Sequence, residues 1–561
     1  MSDDKGHILI LGAGLMQKPA VENARSLGLT VSLVDGNPNA VCVPFADFFE
    51  PIDLKDKEAI LSFAKKMKQT QGLSGVFTAG TDFSAVVSYV AQECYFHAHS
   101  YESALNASDK IRMRRCFKEF GVSSPHFLQA DLENLETICL TADRLGEHLF
   151  PLVVKPVDNM GGRGCRLVRR RCDLEEALSV AIKNSRTGRA IVEDYMEGPE
   201  FSIDAIIYKG TVTICGFADR HIFFPPYFIE MGHTIPTCID NENRFALIST
   251  FVKGIKALGL TCGVAKADMK LTKKGPMVGE IAARLSGGYM SGWTYPYSSD
   301  CPLTQQAELI AVGKEPAWLL ENRRKIECAE TDLPLELFEI PSKRTSAERA
   351  WISIPGQVSS VIGLERASDV ENVNDVMPRA LKGDVVVFPR NNVEKCGNVI
   401  STAQERNLAM DCAQQAVSKI VLRLEPNNSS TNEYFWKKTS AFPPDAFNLS
   451  PSELQTLLCE CEGLPKISLP NKIKENIPNC LLPVFDTLKD WNYRTLRQTL
   501  DLYNSMDFAK NIPSNENIDG FQISPKIFWH ACIRGGIQGL LYVTDCVLSG
   551  VPVDSWQEVL T

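Results

Sequence analysis

The sequence predicts an α/β protein assembled in series: a parallel-sheet domain, a larger α+β core, a small α+β lobe and a mainly helical end. Three observations predict this. Short apolar runs alternate with helical patterns from residue 7 to residue 80. A Gly-rich hairpin follows directly on a strand that ends in Lys155–Pro156. Two apolar strands near 263–285 are each interrupted by a carboxylate, Asp268 and Glu280.

A chain of 561 residues exceeds what one hydrophobic core supports, so several domains are expected. With 44% hydrophobic and 23% charged residues, it has the balance of a soluble globular protein. Its formal net charge of -9 gives no general attraction to phosphate backbones, and nucleic acid is not expected as a partner. MSDDKGHILILGAG opens on acids and carries too short an apolar run for an export signal. No apolar stretch reaches the about 18 residues that span a bilayer. A cytoplasmic protein with no membrane partner is expected, and its 18 cysteines are read as reduced thiols.

HILIL (7–11), VSLVD (31–35) and GVFTAG (75–80) read as buried strands separated by helical patterns, hence a Rossmann-like parallel sheet over 1–107. Gly12, Gly14 and Asp35 invite a dinucleotide reading. Gln17 stands where the fingerprint needs its third glycine, so a tight strand-to-helix turn explains the glycines better. SDKIRMRRCFKEFG (108–121) is an amphipathic helix closed by Gly121. PLVVKP (151–156), CRLV (165–168), AIVEDYMEG (190–198) and EFSIDAIIY (200–208) read as strands. GVAKADMKLT (263–272) and PMVGEIAARL (276–285) form a hairpin turning through 273–275. The core therefore runs over 108–340, with a small lid near 123–196. A lobe at 341–426 carries strands AWISI and DVVVF and a last helix from Ala403 to Arg423. EPNNSSTNE (425–433) reads as a linker to a mainly helical module at 433–561.

Activating a carboxylate with ATP brings two anions together, so the site must supply cations, a phosphate cradle and metal ligands. Lys155 can set its ammonium against phosphates. Gly161, Gly162 and Gly164 let backbone N–H groups converge on phosphate oxygens. Asp268 and Glu280, on facing hairpin arms, are hard oxygen ligands suited to Mg²⁺. The competing account pairs Asp268 with Lys266 or Lys270 and Glu280 with Arg284. So close a carboxylate pair is expected to repel and to retain a proton until a cation arrives. Arg169–Arg171 reads as a solvated turn.

These pieces in this order resemble the ATP-grasp superfamily, in its carboxylate–amine and amino-acid ligase branch. The matching segments are SDK (108–110), VVKP (153–156), DNMGGRG (158–164), VEDYMEGPEFS (192–202) and GEIAARLSGG (279–288). ALKGDVVVFPRNNVEKCG (380–397) is similar to that family's carboxyl-terminal lobe. The resemblance covers residues 6 to about 425 and implies a Rossmann-like first domain, a two-lobed ATP-grasp core and a small α+β lobe. It implies that Lys110 and Lys155 contact ATP phosphates, with the 161–164 turn as a phosphate lid. Glu193 and the backbone near Met196 would hold the adenine, and Glu200 would approach the ribose. Asp268 and Glu280 would bind Mg²⁺, with Mn²⁺ as an alternative, and Arg284 would orient the acyl phosphate. Glu230 and His233, in FIEMGHTIPT, are similar to a Glu-x-x-His segment near the family's acceptor site. Two departures stand out. Asp268 replaces the usual Glu, and Ala282 replaces an Asn that often serves as a third ligand.

The implied activity is an ADP-forming ligase that joins a carboxylate to an amine through an acyl phosphate. Its partners are those small molecules, with a homodimer left open. Two alternatives are a bicarbonate-activating enzyme and a non-catalytic nucleotide-binding scaffold.

Overall fold

The computed structural model describes residues 6–326, 336–437, 442–468, 477–506, 508, 521–553 and 556. The chain forms two compact units, Met1–Ala347 with Thr402–Arg406, and Glu348–Ser401 with Asn407–Thr561.

The first unit opens with strands β1 (His7–Leu11), β2 (Thr30–Val34), β3 (Phe48–Glu50) and β4 (Gly75–Phe77), ordered β3-β2-β1-β4 and all parallel. Helix α1 (Lys18–Ser26) joins β1 to β2, α2 (Lys57–Gln71) joins β3 to β4, and α3 (Ser84–Glu93) follows β4. All of β1 is buried, as expected of a parallel strand covered on both faces. The 12–14 turn bends through Gly12 at φ +97. Gln17 is 1% exposed, accepts a hydrogen bond from Ala79 N at 3.0 Å, and donates its amide to Ala79 O. The side chain that breaks the glycine fingerprint thus ties β1's turn to the end of β4.

Helices α4 (Tyr101–Ser108) and α5 (Lys110–Glu119) lead into the lid. Asp109 caps α5 by accepting from Ile111 N and Arg112 N. The lid holds β5 (Phe127–Ala130), β6 (Leu152–Pro156), β7 (Arg166–Val168) and β8 (Ala190–Asp194) in the antiparallel order β5-β8-β6-β7, with α6 (Leu135–Leu145) and α7 (Leu174–Asn184). Buried Leu174, Ala177, Leu178, Ala181 and Ile182 keep the spacing of one helix face against this sheet.

The core sheet follows: β9 (Glu200–Tyr208), β10 (Thr211–Phe223), β11 (Ile229–Ile235), β12 (Gly263–Thr272) and β13 (Gly275–Ala282), ordered β13-β12-β9-β10-β11 and antiparallel throughout. Helix α8 (Asn241–Leu258) packs on β12 and β13. Helices α9 (Tyr295–Ser299), α10 (Leu303–Ala311) and α11 (Ala317–Asn322) come next. The short pair β14 (Arg324–Lys325) and β15 (Glu336–Glu339) flanks β10, with β15 parallel to it.

Strand β16 (Thr345–Trp351) carries the chain into the second unit. That unit contains β17 (Gly356–Ile362), β18 (Val373–Pro378), β19 (Val385–Val386), β20 (Gly397–Ala403) and β21 (Val421–Leu424). Its helices are α12 (Leu364–Ser368), α13 (Arg406–Lys419), α14 (Ser429–Trp436), α15 (Pro451–Glu462), α16 (Leu496–Asn504) and α17 (Pro525–Leu548). Three expectations are corrected here. The helix expected from Ala403 to Arg423 is α13 followed by β21, because Val421, Leu422 and Leu424 are buried in a strand paired with β17. Of DVVVF, only Val385–Val386 is strand. The expected 425–433 linker contains the start of α14. Its polar residues are a cap: Asn428 accepts from Ser430 N and Thr431 N, and Thr431, Tyr434, Phe435 and Trp436 are buried. The helical end is therefore not set apart from the lobe but shares one compact unit with it. Among the described residues no helix is long and apolar enough to cross a membrane.

Candidate active site

The register of the core sheet brings charged side chains into rows on one face. One row reads Ser202, Asp268 and Glu280 across β9, β12 and β13, and the next reads Asp204, Lys266 and Ala282. A third reads His233, Arg220, Glu200 and Lys270 across β11, β10, β9 and β12. Period-two alternation sends residues 266, 268 and 270 of KADMK to this face, while Ala267 and Met269 enter the core. The hairpin pairing makes Asp268 and Glu280 direct partners.

The carboxylates here are matched by the chain's own cations. Asp268 Oδ2 lies 2.5 Å from Lys266 Nζ, and Oδ1 lies 2.9 Å from Arg220 Nη1. Glu280 is 3.6 Å from Lys110 Nζ. Burial raises the Glu280 carboxyl, but Lys110, Lys266, Arg284 and Lys155 more than offset it and bring it down to about 2. This corrects the expectation of a repelling pair that keeps a proton: Glu280 is ionised because cations already surround it.

Lys110 is 5% exposed, and its ammonium also donates to Asn159 O at 3.1 Å, reaching the base of the Gly-rich turn. Gly161, Gly162 and Gly164 all have positive φ. Asp158 and Asn159 anchor the turn by bonding Ser185, Arg186, Thr187 and the Asn184 carbonyl. Lys155 Nζ is 2.7 Å from Glu193 Oε2, and Arg114 Nε donates to Glu193 Oε1 at 2.7 Å. Arg114 also donates to Gly279 O at 2.6 Å, joining the lid strand β8 to β13 beside Glu280. Burial raises the Glu193 carboxyl, and Arg114 and Lys155 more than reverse it, so its pKa is lowered. Met196 follows β8, half-buried, its methyl directed at Gly279. Glu200 is held 2.5 Å from Arg220 and 3.4 Å from Lys270. Arg284 is 6% exposed; it donates to Leu285 O at 2.9 Å and lies 3.9 Å from Asp82.

Glu230 Oε2 pairs with Arg220 at 2.9 Å. His233 is fully buried, with Nε2 2.8 Å from Thr294 Oγ1 and Nδ1 3.8 Å from Glu230. The Thr294 contact ties β11 to the aromatic segment near Tyr295.

Asp268 and Glu280 fit a hard divalent cation in part. Both sit on one face, but Asp268 already meets Lys266 and Arg220, and Glu280 meets Lys110. Among the described residues no group of three or more His, Cys, Asp or Glu is arranged to hold a metal. A Mg²⁺ here would take its remaining ligands from phosphate and water.

Residues 148–292 match the family model of the ATP-grasp domain, and residues 350–425 match that of the L-amino acid ligase C-terminal domain 2. The L-amino acid ligase of Bacillus licheniformis has the same fold, with a TM-score of 0.63 at 19% identity over 75% of this chain and 99% of that one. The chain carries an ATP-grasp domain, followed by a segment that matches the L-amino acid ligase family. An uncharacterized protein of Sinorhizobium fredii, y4rH, is 23% identical over 428 residues, covering 75% of this chain and 84% of that protein. Carnosine synthase 1 of Gallus gallus is 25% identical over 332 residues, 55% of this chain, which spans only 35% of that relative's length.

This ATP-grasp site contains residues that the sequence did not single out. Arg114, Arg220 and Asp204 act through tertiary partners. Asp204 is fully buried, accepts from Ser286 N at 2.8 Å and from Ser286 Oγ, and is raised by burial to about 6. Asp82, from the turn after β4, stands between Arg284 and Arg186, with its pKa raised by burial. One available signal was a charge inside an apolar strand, as Asp204 is in EFSIDAIIY.

Proposed function

We propose that this chain is an ADP-forming ligase that activates an amino-acid-type carboxylate as an acyl phosphate and couples it to an amine. The observation that carries the reading is the Asp268–Glu280 pair, flanked by Lys110, Lys155 and Arg284 beside a Gly-rich turn. The match to an L-amino acid ligase domain and the likeness to carnosine synthase 1 support amino acids as substrates.

In this reading the ammonium groups of Lys110 and Lys155 hold phosphate oxygens, and the N–H groups of 161–164 close over them. Lys155 would turn from Glu193 toward phosphate, while Arg114 keeps Glu193 neutralised. Met196 and the backbone after β8 form the adenine side of the cleft, and Glu200 lines the ribose side. Mg²⁺ held by Asp268 and Glu280 would neutralise charge on the β- and γ-phosphates. The substrate carboxylate oxygen bonds the γ-phosphorus, and the β–γ bridging oxygen leaves with ADP. Arg284 orients the resulting acyl phosphate with its planar fork. The amine then bonds the acyl carbon, inorganic phosphate departs, and the amine's proton leaves with it. Glu230 and His233 brace Arg220 and the 289–297 aromatic segment that shapes the acceptor pocket.

The test is ADP and phosphate release by the full chain across pairs of amino acids, with mass analysis of the products. Release that requires both a carboxylate and an amine, with a condensed product, is expected. Release driven by bicarbonate alone, or no release with any pair, would overturn the reading.

A further inference from the structure

One peptide unit links Arg284 to a buried carboxylate. Arg284 Nη1 donates to Leu285 O at 2.9 Å. The N–H of that same peptide, Ser286 N, donates to Asp204 Oδ2 at 2.8 Å. A trans peptide is planar, with its carbonyl and its N–H pointing in opposite directions, so fixing the N–H also aims the carbonyl. Ser286 Oγ donates to the other oxygen, Asp204 Oδ1, and this second bond keeps the peptide from turning. Asp204 is a firm anchor. It lies inside β9, is fully buried, and is flanked by β10 and β12. An ionised acceptor makes bonds roughly twice as strong as a neutral one. Other ties hold the segment in place around this peptide. Leu285 bridges Ala79, Ser291 Oγ donates to Ser286 O at 2.6 Å, and a Cβ on Gly80 would stand 3.2 Å from Gly287 Cα.

We propose that Asp204 is a positioning residue of the reaction: through the Leu285–Ser286 peptide it holds the Arg284 guanidinium in the orientation that meets the acyl phosphate. This rests on the role given to Arg284 above. Leu285 O occupies Nη1, which leaves the edge formed by Nε and Nη2 for a ligand. Without Asp204 the peptide is free to turn, its carbonyl leaves Nη1, and the guanidinium can swing toward Asp82, already 3.9 Å from Nη2. Turning a planar fork misplaces both of its parallel bonds at once, which a point charge would not suffer. A merely structural Asp204 would help the segment pack, and its loss would add to the loss of Arg284 instead of passing through it.

The experiment measures hydroxamate formation by the full chain with ATP and Mg²⁺, using the common L-amino acids as carboxylates and hydroxylamine as the amine. The amino acid that reacts best is carried into a double-substitution cycle. Asp204→Leu, which fills the buried space without an acceptor, should lower kcat/KM for that amino acid at least ~30-fold while KM for ATP stays within ~3-fold. Arg284→Lys keeps the charge, loses the fork, and should also lower kcat/KM. Beside Arg284→Lys, Asp204→Leu should cost no more than ~3-fold further, because the group it positions is gone. Asp204→Asn still accepts from Ser286 N and can donate to its hydroxyl, so it should recover at least ~5-fold of the loss. Circular dichroism checks folding. If Asp204→Leu does not fold, the cycle is run with Ser286→Ala, which removes one of the two bonds to Asp204. It should cost at least ~3-fold alone and nothing further beside Arg284→Lys. Losses that multiply in full in the double variant, or wild-type kinetics in the folded single one, would overturn the proposal and leave the ligase reading standing. No hydroxamate from any amino acid with the wild type would overturn the ligase reading, and this proposal with it.

Discussion

Glu280 shows how single charges set both chemistry and stability. Because Lys110, Lys266, Arg284 and Lys155 hold its carboxyl at about 2 against the pull of burial, the fold favours the ionised form. That contribution is complete above the ordinary value of 4.5 and is lost as pH falls through about 2. Glu280→Gln should cut turnover by at least ~100-fold, in line with loss of a major electrostatic contribution. It should also lower stability without nucleotide by roughly 1–3 kcal/mol, since Lys110 is left buried without its partner. Thermal melts of both proteins from pH 7 down to pH 3 check this, and the gap should narrow below about pH 4.5. A variant more stable than wild type at pH 7 would show that the pair repels after all. Lys155→Ala should behave differently. Arg114 keeps Glu193 paired, so the fold holds while ATP affinity drops roughly tenfold, the loss of about 1.4 kcal/mol of phosphate contact. Calorimetric titration of ATP would read it, and unchanged affinity would remove Lys155 from the site. The sequence singles out Lys110, Lys155 and Glu280 because each stands in a local motif. It does not single out Arg114 and Arg220, because a guanidinium declares its role only when distant carboxylates arrive: Glu193 for the first, and Glu200, Glu230 and Asp268 for the second.

The β12–β13 hairpin was readable in its pairing, since its alternation fixes the inward face and its turn fixes the register that pairs Asp268 with Glu280, although the second strand ends at Ala282 and not at 285. Element ends were less readable. The run from 403 to 424 carries helical periodicity to its end, and only pairing with β17 turns the last four residues into strand. Two glycines test how the lid is set. Gly198 lies between β8 and β9 at φ +143, and a Cβ there would sit 2.0 Å from Leu271 O on β12. Gly198→Ala must push the lid's exit from the core sheet, and should cost about 1–3 kcal/mol and weaken nucleotide binding together. Gly164, at φ +70, faces Asn184 with a Cβ distance of 2.8 Å. Gly164→Ala should distort the turn alone, raising KM for ATP with little change in melting temperature. Equal effects of the two substitutions on stability would show that the 161–164 turn packs as core rather than acting as a lid.

At the scale of the molecule, the second unit decides where the chain can be cut. The sequence between 425 and 433 reads as a linker, and a protein ending near 428 would then stay soluble. The packing inside the unit points the other way. Asn492 bonds the backbone of Ile352 on both sides, through Ile352 N at 3.0 Å and Ile352 O at 3.0 Å. Gln538, on α17, donates to Ser353 Oγ at 2.8 Å and to Leu422 O at 3.0 Å. Arg423 on β21 donates to Asp545 at 2.6 Å, and both are largely buried. Gly535 and Gly539 bring α17 against Phe435, where a Cβ would stand 2.9 Å and 3.2 Å from the ring. Ending the chain at 428 would strip α17 from β21, take Asp545 from Arg423 and take Asn492 from both backbone groups of Ile352. Each buried polar group left unmatched costs about 1–3 kcal/mol, enough together to consume most of a domain's margin of 5–15 kcal/mol. The shortened chain should therefore aggregate or lose protection of β17 and β21, read by hydrogen exchange. The first unit's amides, with the core sheet and lid, should keep their protection in whatever fraction stays soluble. A shortened chain that is soluble, with β17 and β21 as protected as in the full protein, would show that the lobe folds without its helical end.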